Sequence, residues 1–396
     1  MNKTPMWVPL AVFLLSCSQL ASQIYMPVLP SIANSLALSA GSSQAIIASY
    51  FITLGLSQLI VGPMRDKFGD RPVFICGQAT LLLGTVLCSI APSASWFLLG
   101  RVLQGIGAAS PLLISRTLLA AQLSGDKLKN AMATLAICSS VTSLLAPLFS
   151  GVLSDWFSWQ GMSWVLVVYY SLITLYGLSL LKHTERASNS VHPKFLIKQY
   201  RELLKRGPFI TVACIKWVPT FLYLTIQLYL PFLLSHEFGY SDKETGQAMM
   251  LPMLGLLIGS SVAKILQKRF SYLDLVLWFW PILLIGAVLF AVSEQALLFL
   301  LAYALIMLVF GVYFPSYMHL IGVIEPQKAG TANALVGAIE LLVFTCLAWA
   351  INQWLLHSTI AVAVFVTCCA AVMIVAWQRL NARFAELSLQ TLQGSK

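Results

Sequence analysis

Charge is scarce in this sequence and acid scarcer still: 14 Asp and Glu and 24 Lys and Arg stand in 396 residues, against 59% hydrophobic and a mean hydropathy of +0.83. Soluble domains carry about 25% charged residues, so this chain lacks the material for such a surface. Segments of about ten residues with alternating polarity are missing, which excludes a membrane β-barrel. Cys-x-x-Cys spacing is missing too. Cys17, Cys76, Cys88, Cys138, Cys214, Cys346, Cys368 and Cys369 all lie in apolar runs and read as small packing residues, not as a metal site or a disulfide framework. No Walker loop, glycine-rich dinucleotide turn or nucleophile elbow appears. That argues against an ATP-driven pump or an enzyme, and no cofactor or metal is expected.

What fills the chain is apolar runs of about 20 residues, the length a bilayer helix needs. The expected class is therefore an all-α integral membrane protein of twelve transmembrane helices. The runs are Trp7–Leu29, Ser43–Val61, Pro72–Ala91, Ser95–Leu119, Ala131–Leu153 and Gly161–Leu181, then Pro208–Leu234, Thr245–Leu266, Tyr272–Val292, Ala296–Met318, Thr331–Leu355 and Ser358–Gln378. Leu14-Leu15-Ser16-Cys17 imitates a lipoprotein cleavage box, but few cations precede it and the first run is expected to stay uncleaved. The one polar interruption is rich in Lys and Arg, and its Phe195–Leu204 has the pattern of an amphipathic helix on anionic headgroups. The expected organisation is a six-helix bundle over residues 1–181, a basic linker over 182–207, a second six-helix bundle over 208–378 and a tail over 379–396.

The net charge of +10 does not point to nucleic acid, because all the cations except Arg101, Lys216 and Lys243 fall on or just inside one face. By the positive-inside rule that face is cytoplasmic and holds both termini. It includes Gly62-Pro63-Met64-Arg65-Asp66-Lys67-Phe68-Gly69-Asp70-Arg71-Pro72, expected as a tight loop in which the two prolines stop and restart helices.

Polar groups inside the runs are costly unless they face protein or water. Gln19, Gln23 and Tyr25 in span one, and Gln104 in span four, qualify either as interhelical hydrogen-bonding groups or as substrate contacts, whereas Arg101, about two turns inside the outer face, needs a partner or a wet cavity. Lys216 and Glu340 both lie about 13 Å from the basic face, at 1.5 Å per residue, so they are able to pair. The pair reads as a proton-coupling site, a structural salt bridge or a counter-ion for a cationic substrate. Trp217, Tyr223, Gln227, Tyr313 and Tyr317 are candidates for lining a cavity that takes bulky apolar cations, or for plain packing.

Gly62, Asp66, Lys67, Gly69 and Arg71 match the signature loop of the major facilitator superfamily, which this sequence resembles, with Asp70 departing where a cation is usual. Arg101 followed by Gln104-Gly105 and small residues is similar to the family's helix-four signature, associated there with proton coupling. Ala146-Pro147-Leu148-Phe149-Ser150-Gly151 looks like its helix-five antiporter signature, of which Ala146, Pro147 and Gly151 are taken as the site residues. Lys328-Ala329-Gly330-Thr331-Ala332-Asn333-Ala334-Leu335 and Tyr25-Met26-Pro27 resemble the bicyclomycin and chloramphenicol resistance group of drug:proton antiporters. Many members of that group have an Asp where Gln23 stands, which moves the expected titrating acid to Glu340. The resemblance implies a monomeric inner-membrane transporter that exports a small amphipathic molecule in exchange for protons, with the proton gradient as its energy source. Export of an endogenous metabolite, and ligand sensing without transport, are the other readings.

Overall fold

The structure is a computed structural model that describes residues 6–181, 193–325, 329–354 and 358–393. Among these there are helices and turns but no strand. In chain order they are α1 (Trp7–Gln23), α2 (Leu29–Ser35), α3 (Ala40–Phe68), α4 (Asp70–Ser89), α5 (Ala94–Gln122), α6 (Gly125–Leu180), α7 (Pro193–Leu204), α8 (Gly207–Phe232), α9 (Asp242–Ala248), α10 (Met250–Leu266), α11 (Tyr272–Ala291), α12 (Ala296–Ile324), α13 (Ala329–Ile339), α14 (Thr345–Trp354) and α15 (Thr359–Gln393). A π turn over Leu233–Glu237 extends α8, and another over Glu340–Phe344 joins α13 to α14. Ten stretches are long and apolar enough to cross a membrane. One of them, within α6, is two spans divided at Ser158 (φ 62°, ψ 171°), and α1 with 17 residues completes the twelve.

Three expectations are corrected. The signature segment is not a loop: α3 continues through Pro63 to Phe68, and α4 begins at Asp70 with Pro72 in its first turn, where no N–H is needed. Gly69 alone reverses the chain, at φ 85°, a conformation that a side chain would oppose. Asp70, at the family's cation position, accepts from Arg65 Nε at 2.5 Å across this turn. The side chain of Asp66, another residue of this signature, lies outside those described. Spans five and six, expected to stop at Leu153 and restart at Gly161, are likewise joined by Ser158 alone. Span one, expected unbroken to Leu29, ends at Gln23, because Pro27 has no N–H to offer the Gln23 carbonyl; Met26 N–H takes that carbonyl at 3.1 Å and the helix unwinds.

The chain forms two compact units. The first is Met1–Val191 with Leu228–Met250 and Leu341–Trp349. In it α5 is central, packed on α1, α3 and α4. Apolar surface is not driven together in lipid, so close approach between small residues has to supply the attraction. A Cβ on Gly105 of α5 would overlap the Tyr50 carbonyl and Thr53 of α3. Side chains that face outward, such as Leu83 and Val168, are large, apolar and exposed, as a lipid-facing surface requires. The second unit is His192–Gln227, Leu251–Glu340 and Ala350–Lys396, in which α11 packs on α12 and α15.

Candidate functional site

The break after α1 creates the first polar centre, within the first unit. A helix end leaves carbonyls without intrahelical partners, and two side chains from other spans take them. Arg101 Nη1 donates to the Ala21 carbonyl at 2.7 Å, and Ser150, within the helix-five signature, donates to the Ile24 carbonyl. Arg101 is fully buried and has no carboxylate partner among the described residues. It is held by Gln104 Oε1 at 2.8 Å and by the faces of Tyr50 and Tyr25, at 4.3 and 5.0 Å from their ring centres. A cation kept this way is stabilised by a carbonyl, an amide and two π faces. Gln104 passes the network on, donating to Thr85 Oγ1 at 2.9 Å, and the Tyr25 hydroxyl meets Ser163 at 2.9 Å. Tyr25 and Gln104 thus belong to a packed interior. Gln19 and Gln23 reach the other way, donating to Ser139 at 2.7 Å and Ser143 at 3.1 Å on α6.

The second centre lies in the second unit. Lys216 Nζ meets Glu340 Oε2 at 2.8 Å, and the other carboxylate oxygen accepts from Thr220 Oγ1 at 3.2 Å. Lys216 and Thr220 are four residues apart on α8 and share a face, so they grip the carboxylate together. Glu340 is the first residue of a π turn, a distortion that occurs often at functional sites. The Lys216 ammonium also lies 5.4 Å from the Tyr317 ring and 5.8 Å from Phe314. Both charged side chains are nearly buried, 15% exposed for Lys216 and 9% for Glu340. Around them Trp217 donates to the Val336 carbonyl at 3.3 Å and Tyr317 to Asn333 at 2.7 Å. Nearer the far end of α8, Tyr303 donates to Gln227 Oε1 at 3.0 Å, and Tyr223 lies 6.2 Å from Phe310. Tyr313 points elsewhere, donating to the Val276 carbonyl of α11 at 2.8 Å.

A third centre, missed by sequence reading, joins the helix-five signature to the start of α9, again within the first unit. Asp242 accepts from Ser31 at 2.5 Å and from Ser154 at 2.8 Å. Gly151 faces the Asp242 carbonyl so closely that a Cβ there would lie 2.5 Å from it, and a Cβ on Gly246 would overlap the Pro147 carbonyl. Asp242, Lys243 and Glu244, which precede the span expected from Thr245, open a helix, because Ser241 and Glu244 form a reciprocal capping box. Within the same unit Gln44 donates to the Leu228 carbonyl at 3.1 Å and Trp349 to the Gly41 carbonyl at 3.1 Å. Small residues at 147, 151 and 246 were a legible hint of close packing; the carboxylate's partners were not legible.

The sequence model of the Major Facilitator Superfamily matches residues 11–344. Multidrug resistance protein D of Escherichia coli (strain K12) is 27% identical over 343 residues, 83% of this chain and 84% of that protein. Multidrug resistance protein MdtL of Shigella flexneri serotype 5b (strain 8401) is 27% identical over 228 residues, 58% of each chain. Among solved structures, the xylose transporter XylE from E. coli superposes with a TM-score of 0.71 at 12% identity, over 96% of this chain and 97% of that one. With twelve spans, the helix-four and helix-five segments in place and a match over most of its length, the chain belongs to the major facilitator superfamily and is a membrane transporter, not an enzyme.

Proposed function

We propose that the protein is a proton-coupled exporter of small amphipathic compounds, working by alternating access in a bacterial inner membrane with both termini in the cytoplasm. The carrying observation is the Lys216–Glu340 pair, a carboxylate held by one ammonium and one hydroxyl on a single helix face and set in a π turn. Such an acid exchanges a proton against a competing cation: with a proton on Glu340 the ion pair is lost, and Lys216 is free for a different arrangement. Binding of a cationic or polar substrate beside the pair shifts the same equilibrium, which couples the two fluxes. Likeness to multidrug resistance protein D supports the drug-like substrate class. The six-helix halves 1–181 and 208–378 are the moving bodies, the protein acts as a monomer, and the proton gradient is the energy source. Trp217 and Tyr223, on α8 as Lys216 is, are the proposed substrate contacts. Arg101, which has no acid partner among the described residues, is the proposed fixed charge beside the α1 break.

The test is transport by Glu340→Gln in proteoliposomes. The expected result is counterflow retained and pH-driven efflux abolished, since an amide mimics the permanently protonated carrier. Retained pH-driven efflux overturns the assignment. Restoration of pH-driven efflux when Lys216→Ala is added to Glu340→Gln marks the pair as a structural salt bridge, because its removal as a whole is then tolerated.

A further inference from the structure

Two adjoining hollows run along the second unit where the start of α8 lies beside α15. The first has a volume of about 310 Å³ and an almost wholly apolar wall that includes Ile210, Cys214, Val372 and Val375. The second, about 490 Å³, lies toward the basic linker and is lined by Lys205, Gly207 and Leu380, among others; the two share Ile210, Thr211 and Arg379. One continuous surface therefore passes from a cationic end to an apolar end.

The cations at that surface are uncommitted. Arg206, between Lys205 and the start of α8, is neutralised by both oxygens of Glu325 at 2.8 and 3.0 Å. Lys205 and Arg379 are exposed and form no ion pair among the described residues. Gly207, the first residue of the 26-residue α8, adds one of the N–H groups that a helix cannot satisfy internally. Two cations and a helix amino end at the mouth of an apolar groove favour an anion that carries a hydrocarbon chain.

We propose that this double hollow binds one anionic phospholipid, its phosphate between Lys205, Arg379 and the amino end of α8 and an acyl chain along Ile210, Cys214 and Val375. A free phosphate would leave the apolar hollow unfilled. A zwitterionic lipid would bring an amine to hollows whose lining contains no Asp or Glu.

The experiment uses the full chain in non-ionic detergent, with bound lipid read by native mass spectrometry and melting followed in parallel. Dioleoyl phosphatidylglycerol is expected to bind at one site and raise the melting temperature. Dioleoyl phosphatidylcholine binds at least tenfold more weakly, and inorganic phosphate does not compete. Lys205→Gln with Arg379→Gln lowers phosphatidylglycerol affinity about thirty-fold, as two interfacial cations imply, while Lys268→Gln with Arg269→Gln, the same charge change elsewhere on the basic face, leaves it unchanged. Cys214→Trp, which fills the apolar hollow, abolishes the lipid-dependent rise in melting temperature. Equal binding of the two lipids, competition by phosphate, equal losses in both double variants, or an undiminished rise in Cys214→Trp would overturn the proposal.

Discussion

The most exposed piece of this reasoning is the Asp242 clamp. Two serines from different helices, Ser31 and Ser154, donate to one half-buried carboxylate at 2.5 and 2.8 Å. A hydrogen bond to a charged group contributes about 1.5–3 kcal/mol, and partial exposure argues for the lower end, so the clamp contributes about 3 kcal/mol to closure of the α6–α9 seam. Asp242→Ala should then raise the population of the open seam about a hundredfold. Thr245, one turn along α9 and 1% exposed, reports on it. In purified protein carrying Thr245→Cys as its sole cysteine, alkylation by a maleimide should run about a hundred times faster when Asp242→Ala is added. Asp242→Asn keeps the shape but loses the charge, giving about fivefold. Ser31→Ala with Ser154→Ala should match Asp242→Ala, since it removes the same two bonds from the other side. If Asp242→Ala leaves the alkylation rate unchanged, the clamp does not hold the seam and the energetic argument fails.

Three further outcomes follow from single observations. Arg101→Ala empties the space between Tyr25 and Tyr50 and orphans the Ala21 carbonyl, so it should cost about 3 kcal/mol and lower the melting temperature in detergent; an unchanged melting curve contradicts the account of the α1 break. Gly69→Ala forces a side chain into φ 85°, a cost of about 1–2 kcal/mol, seen as a lower melting temperature, whereas Gly62→Ala meets no neighbouring atom and should melt like the parent. In intact cells and a cysteine-free background, Ser124→Cys should be shielded from an impermeant thiol reagent while Ser93→Cys and Gln295→Cys are labelled; labelling of Ser124→Cys reverses the orientation.

Membrane class and span number were legible because they depend on local composition: a run of apolar residues must find lipid or protein wherever it folds. The loop expected at Gly62–Pro72 was misread because Pro63 and Pro72 look like punctuation, although α3 runs on through Pro63, Pro72 is tolerated in the first turn of α4 and Gly69 is able to turn the chain alone. Lys216 with Glu340 was legible as a possibility, since depth along a span follows from counting residues. Thr220 as the second partner of Glu340 was not, because hydroxyls are common in spans and carry no mark of their use.

What the sequence determined alone is therefore the medium and the twelve spans, both consequences of transfer free energies summed along a line. Only the tertiary structure decided which polar groups meet. The Ala21 carbonyl lies 80 residues from Arg101, Glu340 lies 124 from Lys216, and Asp242 lies 211 from Ser31. No local pattern specifies such pairs, because a polar group in a bilayer needs some partner, and which one it finds depends on helix rotation and on breaks such as the one before Pro27.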